Sequence, residues 1–395
     1  MYCISSSYLG SNKNFYKNNE GFYWSSAAPD DCWSLTGNLK LNQKCLDTVL
    51  QIAGIRLPQL PAQHLAVAQL LVTGSNVHVP WQHFLPKTAY ENYFKNTVKV
   101  IEESFSELPL GYYETAWAAG TSVLSALKPA KIDVSAWNGF LESASVNAPV
   151  LSSFNPDPRG FADVPVYNRF GTRTGRLTVS EGPNILVLKR ELRSIIQSSY
   201  KDGVVCSLDF RALEPRIVLA EAGRSSDAED MYGEVAEKIF GDRQNRDAVK
   251  VAVISELYGA AKESLRARLG ISQAKIDAFV RGINEYFQLD TLRSRLESQA
   301  QSGKIINKFG RPLSVDPEAK NTLVNTYVQS TGVDVAMMGF DQILKQLGTD
   351  GVRPLFVLHD ALILDVRRDR LTDAQIRSVR VQGYSADFPI KLEKL

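Results

Sequence analysis

Cysteine is scarce in this 395-residue chain, and the four present (Cys3, Cys32, Cys45, Cys206) share no paired spacing. With only four histidines beside them, neither a disulfide framework nor a zinc cluster organises the fold. The thiols read as ordinary and reduced. No apolar run approaches the ~20 residues that span a bilayer, and the N-terminal stretch MYCISSSYLGSNKNFYKNNE lacks a charged-then-apolar leader pattern. The expectation is therefore an intracellular, cytoplasmic protein with no membrane partner. A GxxxxGK[ST] loop is absent, which removes the P-loop nucleotide enzymes. Fixed-period repeats and low-complexity tracts are missing too, so solenoids and disordered scaffolds drop out. Net charge is only +2, too small to announce nucleic acid by itself.

What remains is an ordinary globular composition, 44% apolar and 22% charged, with length for roughly two or three domains. Charge is uneven along the chain. Between 167 and 201 stand Arg169, Arg173, Arg176, Lys189, Arg190, Arg193 and Lys201 against Glu181 and Glu191, a strip that suits a polyanion as well as it suits a solvated face. The first ~35 residues show no clear period and read as irregular or strand-like. Helix-length amphipathic stretches follow at 41–54, 62–74, 87–105 and 112–128. A Pro-, Asn- and Ser-rich connector covers 147–165. Beyond it the pattern predicts a buried strand at 204–209, a helix over 214–222, helices through 226–300, a short hairpin at 305–315, a helix over 317–346 and a second hairpin at 354–366.

The buried strand VVCSLD ends on Asp209, and a lone buried carboxylate is costly without a partner or a metal. The hairpin PLFVLHDALILDV carries His359 and Asp360 at its tip. Were the two elements neighbours in one sheet, two carboxylates would lie side by side and would need a cation between them; hard oxygen ligands favour Mg²⁺. A third element adds weight. In GDRQNRDAVKVAVISELYGAA, Asp242 can cap a helix, and Arg246, Lys250, Ile254 and Tyr258 follow at steps of four. Each step drifts only ~40°, so all four share one face. Arg supplies a forked grip on phosphate oxygens, Lys a point charge able to donate a proton, and the apolar and aromatic residues a platform for a base or sugar. Carboxylates for metal plus a cationic helix for a triphosphate are the parts of phosphoryl transfer.

These residues resemble the family A DNA polymerases. SLDFRALEPRI looks like motif A, RDAVKVAVISELYG like motif B and LHDALILD like motif C. TRTGRLTVSEGPN (172–184) is similar to the segment that meets the primer–template, and GRPLSVDPEAKNTLVNTYVQSTGVD to one whose Asn and Gln touch the duplex. The resemblance implies an α+β right-hand fold with an antiparallel palm sheet, helical fingers and a helical thumb. It divides the chain into an N-terminal region without assigned role (1–90), a thumb-like helical region (91–165), palm (166–225), fingers (226–320) and palm again (321–395). It further implies that Asp209 and Asp360 hold two Mg²⁺ ions, that Arg246 and Lys250 hold the triphosphate with Lys250 the proton donor, and that Ile254 and Tyr258 line the nucleotide pocket. Glu214 would be the steric gate favouring deoxynucleotides. Arg176, Asn325 and Gln329 match minor-groove readers, and His359 falls near the primer terminus. The implied partners are primer–template DNA and dNTPs.

Departures accompany the likeness. An aromatic is usual at Ile254, a Glu at Ala361 and a second Arg at Asp247. Before the TGR segment no acidic DxE pattern with downstream carboxylates is found, so a polymerase module without proofreading is expected, with any exonuclease or processivity factor supplied separately. The likeness also admits a phage-encoded enzyme acting in a host. Two rival readings remain at this point: a single-subunit RNA polymerase, disfavoured by Glu214, and a protein that binds primer–template without catalysis, disfavoured by carboxylates placed near phosphates.

Overall fold

A largely apolar strand belongs inside a sheet, and Gly203–Phe210 (β1) lies there. The computed structural model describes all residues except 28–29, 38–43, 74–79, 144–147 and 242. Two compact units emerge, Met1–Tyr113 and Glu114–Leu395. In the second, β1 is the middle strand of a five-stranded sheet completed by Val352–Leu358 (β2), Ala361–Arg367 (β3), Ser378–Arg380 (β4) and Asp387–Lys394 (β5), in the order β2-β3-β1-β5-β4. Every pairing is antiparallel. One face of this sheet packs Val205, Phe356 and Ile363 into a core with Ile132, Leu151, Phe154 and Ile195. Against the other face lies a 25-residue helix, Leu323–Leu347, where Phe340 meets Phe210 at 5.5 Å between ring centroids.

Between the two halves of the sheet the described residues first form Leu213–Glu221 (α1), Met231–Phe240 (α2), Arg246–Leu257 (α3), Lys262–Leu269 (α4), Gln273–Phe287 (α5) and Leu289–Ala300 (α6). The strand Lys304–Ile306 then pairs with Pro312–Ser314 as the expected hairpin, and the long helix (α7) follows. It starts later than its sequence pattern predicts. Residues 316–322 are spent on turns, with the Glu318 amide bonded to the Asp316 side chain at 3.0 Å. The cap expected at Asp242 lies outside the described residues; Asn245 occupies the cap position of α3.

The first unit turns the ambiguous N-terminal stretch into a four-stranded mixed sheet. Its order is Gly21–Ser25, Asn14–Asn18, Tyr2–Ile4, Trp33–Leu35, and the last two strands run parallel. Phe15, Trp24 and Phe94 pack edge-on or stacked at 4.9–5.4 Å, joining the sheet to the helix Lys87–Ser104. Helices Leu46–Ala53 and Ala62–Thr73 lie within the predicted stretches, although residues 41–43 and 74 of those stretches lie outside the described residues. Among the described residues, no helix is long and apolar enough to cross a membrane.

Candidate active site

Register does the first part of the work. Asp209 stands opposite Ala361 on β3 and opposite Lys391 on β5. Asp360 is the residue before Ala361, in a two-residue turn between β2 and β3, and its carbonyl accepts from the Phe210 amide at 3.1 Å. The two carboxylates of the sequence reading therefore meet at one edge of the central strands. The turn is tight enough to put His359 in the left-handed region, φ +56°. Burial first, then the Asp360 charge and then Glu393 push the Asp209 carboxyl up to about 7, while Lys391 opposes them. Asp360 is likewise raised, by burial, with its own backbone amide, His359 and Arg176 pulling the other way. Burial and the Arg176 charge lower His359, leaving it neutral near pH 7.

A cleft beside this pair is lined by Arg176, Leu213, Glu214, Gln329, His359 and Asp360. Glu214 reaches it because the chain turns sharply after β1: Ala212 is left-handed at φ +51°, and α1 begins at the next residue. Its Oε1 accepts from Arg176 Nη2 at 2.7 Å and from the Tyr258 hydroxyl at 3.4 Å. Burial raises the Glu214 carboxyl, and Arg176 and Tyr258 partly offset it.

Arg176 is positioned by the TGR turn. The Gly175 amide donates to Thr172 O at 3.1 Å, and Thr172 Oγ1 donates to Arg176 O at 2.9 Å. Gly175 has φ +79°, and a Cβ there would stand 1.9 Å from the Arg311 guanidinium, so only glycine fits. Strands Val166–Asn168 and Thr178–Glu181 carry this turn. They are pinned to β2 by Tyr167, whose hydroxyl donates to Val357 O at 2.7 Å and accepts from Val357 N at 3.0 Å. Behind the turn, Asn307 Nδ2 donates to Asp334 at 2.6 Å and to Ser330 at 3.1 Å, tying the 304–314 hairpin to α7.

On α7 nearly everything from Leu323 to Asp341 is buried; only Asn325, Gln329 and Val333 are half-exposed. That is a stripe at i, i+4 and i+8, one face of the helix. Gln329 and Val333 line the cleft. Asn325 Oδ1 is shielded from solvent with no hydrogen-bond partner, an acceptor left for something else to satisfy.

Helix α3 presents its predicted face, with Lys250 and Tyr258 exposed and Arg246 and Ile254 half-exposed, while Val249, Ala252, Val253 and Leu257 are buried. Its C-terminal end, at Tyr258, touches Glu214. Arg246, at the opposite end about 18 Å away along the axis, is ion-paired to Asp230 at 2.8 Å and to Asp247 at 2.9 Å. Lys250 lies 5.9 Å from the Tyr232 ring centroid. Tyr232 connects the two ends: the charges of Glu214, Arg246 and Tyr258 all act on its hydroxyl, which burial pushes up to about 12.

Other residues were not foreseen in these roles. Arg216 is buried and donates to the carbonyls of Arg211 (2.8 Å), Ser226 and Ala228, clamping the loop that leads into α2. Asp365 is buried on β3 and accepts from Ser199 N at 2.8 Å and Ser199 Oγ at 2.6 Å. Its signal in the sequence was a carboxylate inside an apolar strand; its partners lie 166 residues away.

No cluster of three or more His, Cys, Asp or Glu able to hold a metal occurs among the described residues. The pair Asp209 and Asp360 nevertheless fits Mg²⁺, which is commonly bound by one or two carboxylates together with substrate phosphates and water. Both are hard oxygen ligands whose shared charge already raises Asp209, and a cation would relieve that strain.

Comparison with known proteins adds sequence and fold relationships. Residues 162–392 match the profile of DNA polymerase family A. The thermostable DNA polymerase I of Thermus filiformis is 26% identical over 261 residues, which cover 58% of this chain and 31% of that protein. The DNA polymerase of Mycobacterium phage D29 is 28% identical over 182 residues, 42% of this chain and 29% of that one. The chain thus spans about a third of the length of these curated relatives. Among solved structures, the POL domain of Pol1 from M. smegmatis, in complex with DNA primer-template and dNTP, superposes with a TM-score of 0.52 at 15% identity, covering 88% of this chain and 77% of that one.

Proposed function

Since the chain belongs to DNA polymerase family A, we propose that it performs template-directed DNA synthesis, adding deoxynucleotides to a primer 3′-hydroxyl with release of pyrophosphate. The observation that carries the proposal is the β1–β3 register, which sets Asp209 against the Asp360 turn at the mouth of a cleft containing Arg176 and Glu214. Its right-hand polymerase fold supplies the frame; the β1–β5 sheet acts as palm and the helices from α2 to α6 as fingers.

In this reading Asp209 and Asp360 hold two Mg²⁺ ions. Bound there, the ions supply activation of the 3′-hydroxyl and charge neutralisation on the leaving pyrophosphate. The protein's own groups do the rest. Arg246 grips phosphate oxygens with its fork, and Lys250, the catalytic proton donor, hands a proton to the departing pyrophosphate. Tyr258 and Ile254 close the pocket around the base. Glu214, fixed by Arg176 and Tyr258, fills the space a ribose 2′-hydroxyl would need. Asn325 and Gln329 offer hydrogen bonds to minor-groove acceptors, which are nearly alike for all base pairs and so report pair shape. His359 lies beside the primer terminus.

Primer extension on a recessed duplex with Mg²⁺ tests this, with dNTPs and rNTPs offered in parallel and Asp360→Asn as control. Extension with dNTPs that disappears in Asp360→Asn is expected. Tight duplex binding without extension by either nucleotide set would reject catalysis, and faster extension with rNTPs would reject the gate at Glu214.

A further inference from the structure

The chemistry around Arg246 departs from what a phosphate-binding arginine ordinarily meets. Its guanidinium is occupied by acid: Nε donates to both oxygens of Asp230, at 3.0 and 2.8 Å, and Nη1 donates to Asp247 at 2.9 Å. Hydrogen bonding to Asp230, with Asp247 after it, holds the Arg246 pKa above its usual range. The seat for Asp230 is shaped by the sequence. A Cβ at residue 233 would stand 2.5 Å from Asp230 Oδ2, and that residue is Gly233, in the first turn of α2. Arg243, whose charge also acts on Asp230, is itself engaged by Glu237 at 2.9 Å.

We propose that Asp230 and Asp247 form a carboxylate latch on Arg246, which the polyphosphate of an incoming nucleotide must displace from Nε and Nη1 before Arg246 can grip it with the whole fork. This rests on the proposed role of Arg246 toward the triphosphate. The fork has five N–H donors, and two of them, the Nε–H shared between both oxygens of Asp230 and one Nη1–H, already go to carboxylates. A phosphate oxygen reaches Nε or that Nη1–H only by exchange, and Asp247, whose side chain is 94% exposed, repels it throughout the approach. The latch favours ligands with several phosphate oxygens over those with few, because only a dense polyanion outcompetes two carboxylates. It lowers affinity for every nucleotide and hastens departure of pyrophosphate.

The test measures equilibrium binding of the template-matched dNTP, with Mg²⁺, to the full chain on a dideoxy-terminated primer–template, so no turnover is needed. Wild type is compared with Asp247→Asn, Arg246→Met and the double variant. Asp247→Asn is expected to tighten binding about three- to tenfold, the range of one exposed ion pair plus the removed repulsion. That gain should shrink at high salt and fall to the smaller part owed to removed repulsion when Arg246 is Met. Asp230→Asn, checked for folding by circular dichroism, should tighten binding in the same direction. Unchanged or weaker binding by Asp247→Asn, with Arg246→Met clearly impaired, overturns the latch and leaves the triphosphate role standing. If Arg246→Met binds as wild type does, and matched dNTP is not preferred over mismatched, the nucleotide reading falls and the latch with it.

Discussion

Replacing Asp209 by Asn should make the metal-free protein more stable while abolishing primer extension. The folded-state carboxyl lies at about 7 against an ordinary 3.8, so the folded chain binds a proton that the unfolded chain has already released. Stability from this group is fully present below about pH 4, is lost as pH rises to about 7, and changes no further above that. Three units at ~1.4 kcal/mol each set an upper bound near 4 kcal/mol. Partial solvent access and the Lys391 charge opposite reduce the realistic figure to ~1–2 kcal/mol. Asn cannot ionise, so the gap between Asp209→Asn and wild type should widen between pH 5 and 7 and then level off. At pH 8 in EDTA it should appear as a rise of roughly 2–6 °C in melting temperature. Added Mg²⁺ should raise the wild-type value and leave the variant unmoved, closing the gap from the other side. Calorimetric or fluorescence melts over pH 5–8.5 decide it. A gap that is constant with pH, or a variant less stable than wild type at pH 8, would refute the account of Asp209 as a charge held at a stability cost.

Three further outcomes can be measured. Glu214→Ala should reduce the dNTP-over-rNTP ratio of kcat/KM by about 10–100-fold, since a site filled by a hydrogen-bonded side chain rejects an extra hydroxyl and an emptied one accepts it; competitive incorporation reads it, and an unchanged ratio removes Glu214 from sugar selection. Gly175→Ala should lower stability by about 1–3 kcal/mol in urea melts, from the left-handed backbone and the Arg311 guanidinium at 1.9 Å, and less so when Arg311 is also shortened. Tyr167→Phe removes the hydroxyl that serves both Val357 N and Val357 O and should destabilise by about 1–2 kcal/mol, with faster amide exchange at the 166–181 hairpin as the local signature.

Much of the site was legible because its signals are local. Asp209 interrupts an apolar strand, Asp360 sits at a hairpin tip, and the α3 face repeats every four residues; each pattern depends on a few neighbours in sequence. The residues that hold these groups in place gave no such sign. Tyr167 binds a backbone edge 190 residues on, and Arg216 serves three carbonyls, acceptors every residue possesses and no sequence pattern marks. The N-terminal sheet escaped for another reason: its strands are three to five residues long, too short for alternation to separate from noise. Arg246 was read as a phosphate-type cation and stands half-exposed on the α3 stripe, but its carboxylate partner Asp230 lies on the preceding helix cap, beyond any periodicity in α3.

The left-handed conformation of His359 carries a lesson for engineering. A non-glycine residue there holds strain on the order of 1 kcal/mol, and Asn or Gly would relax it. The residue beside it, Asp360, and its neighbour Asp209 are likewise held against their electrostatic preference. Selection of variants by melting temperature alone would thus be drawn to positions 209, 359 and 360 first, and the hardiest descendants of this chain would be those from which the chemistry had been bred out.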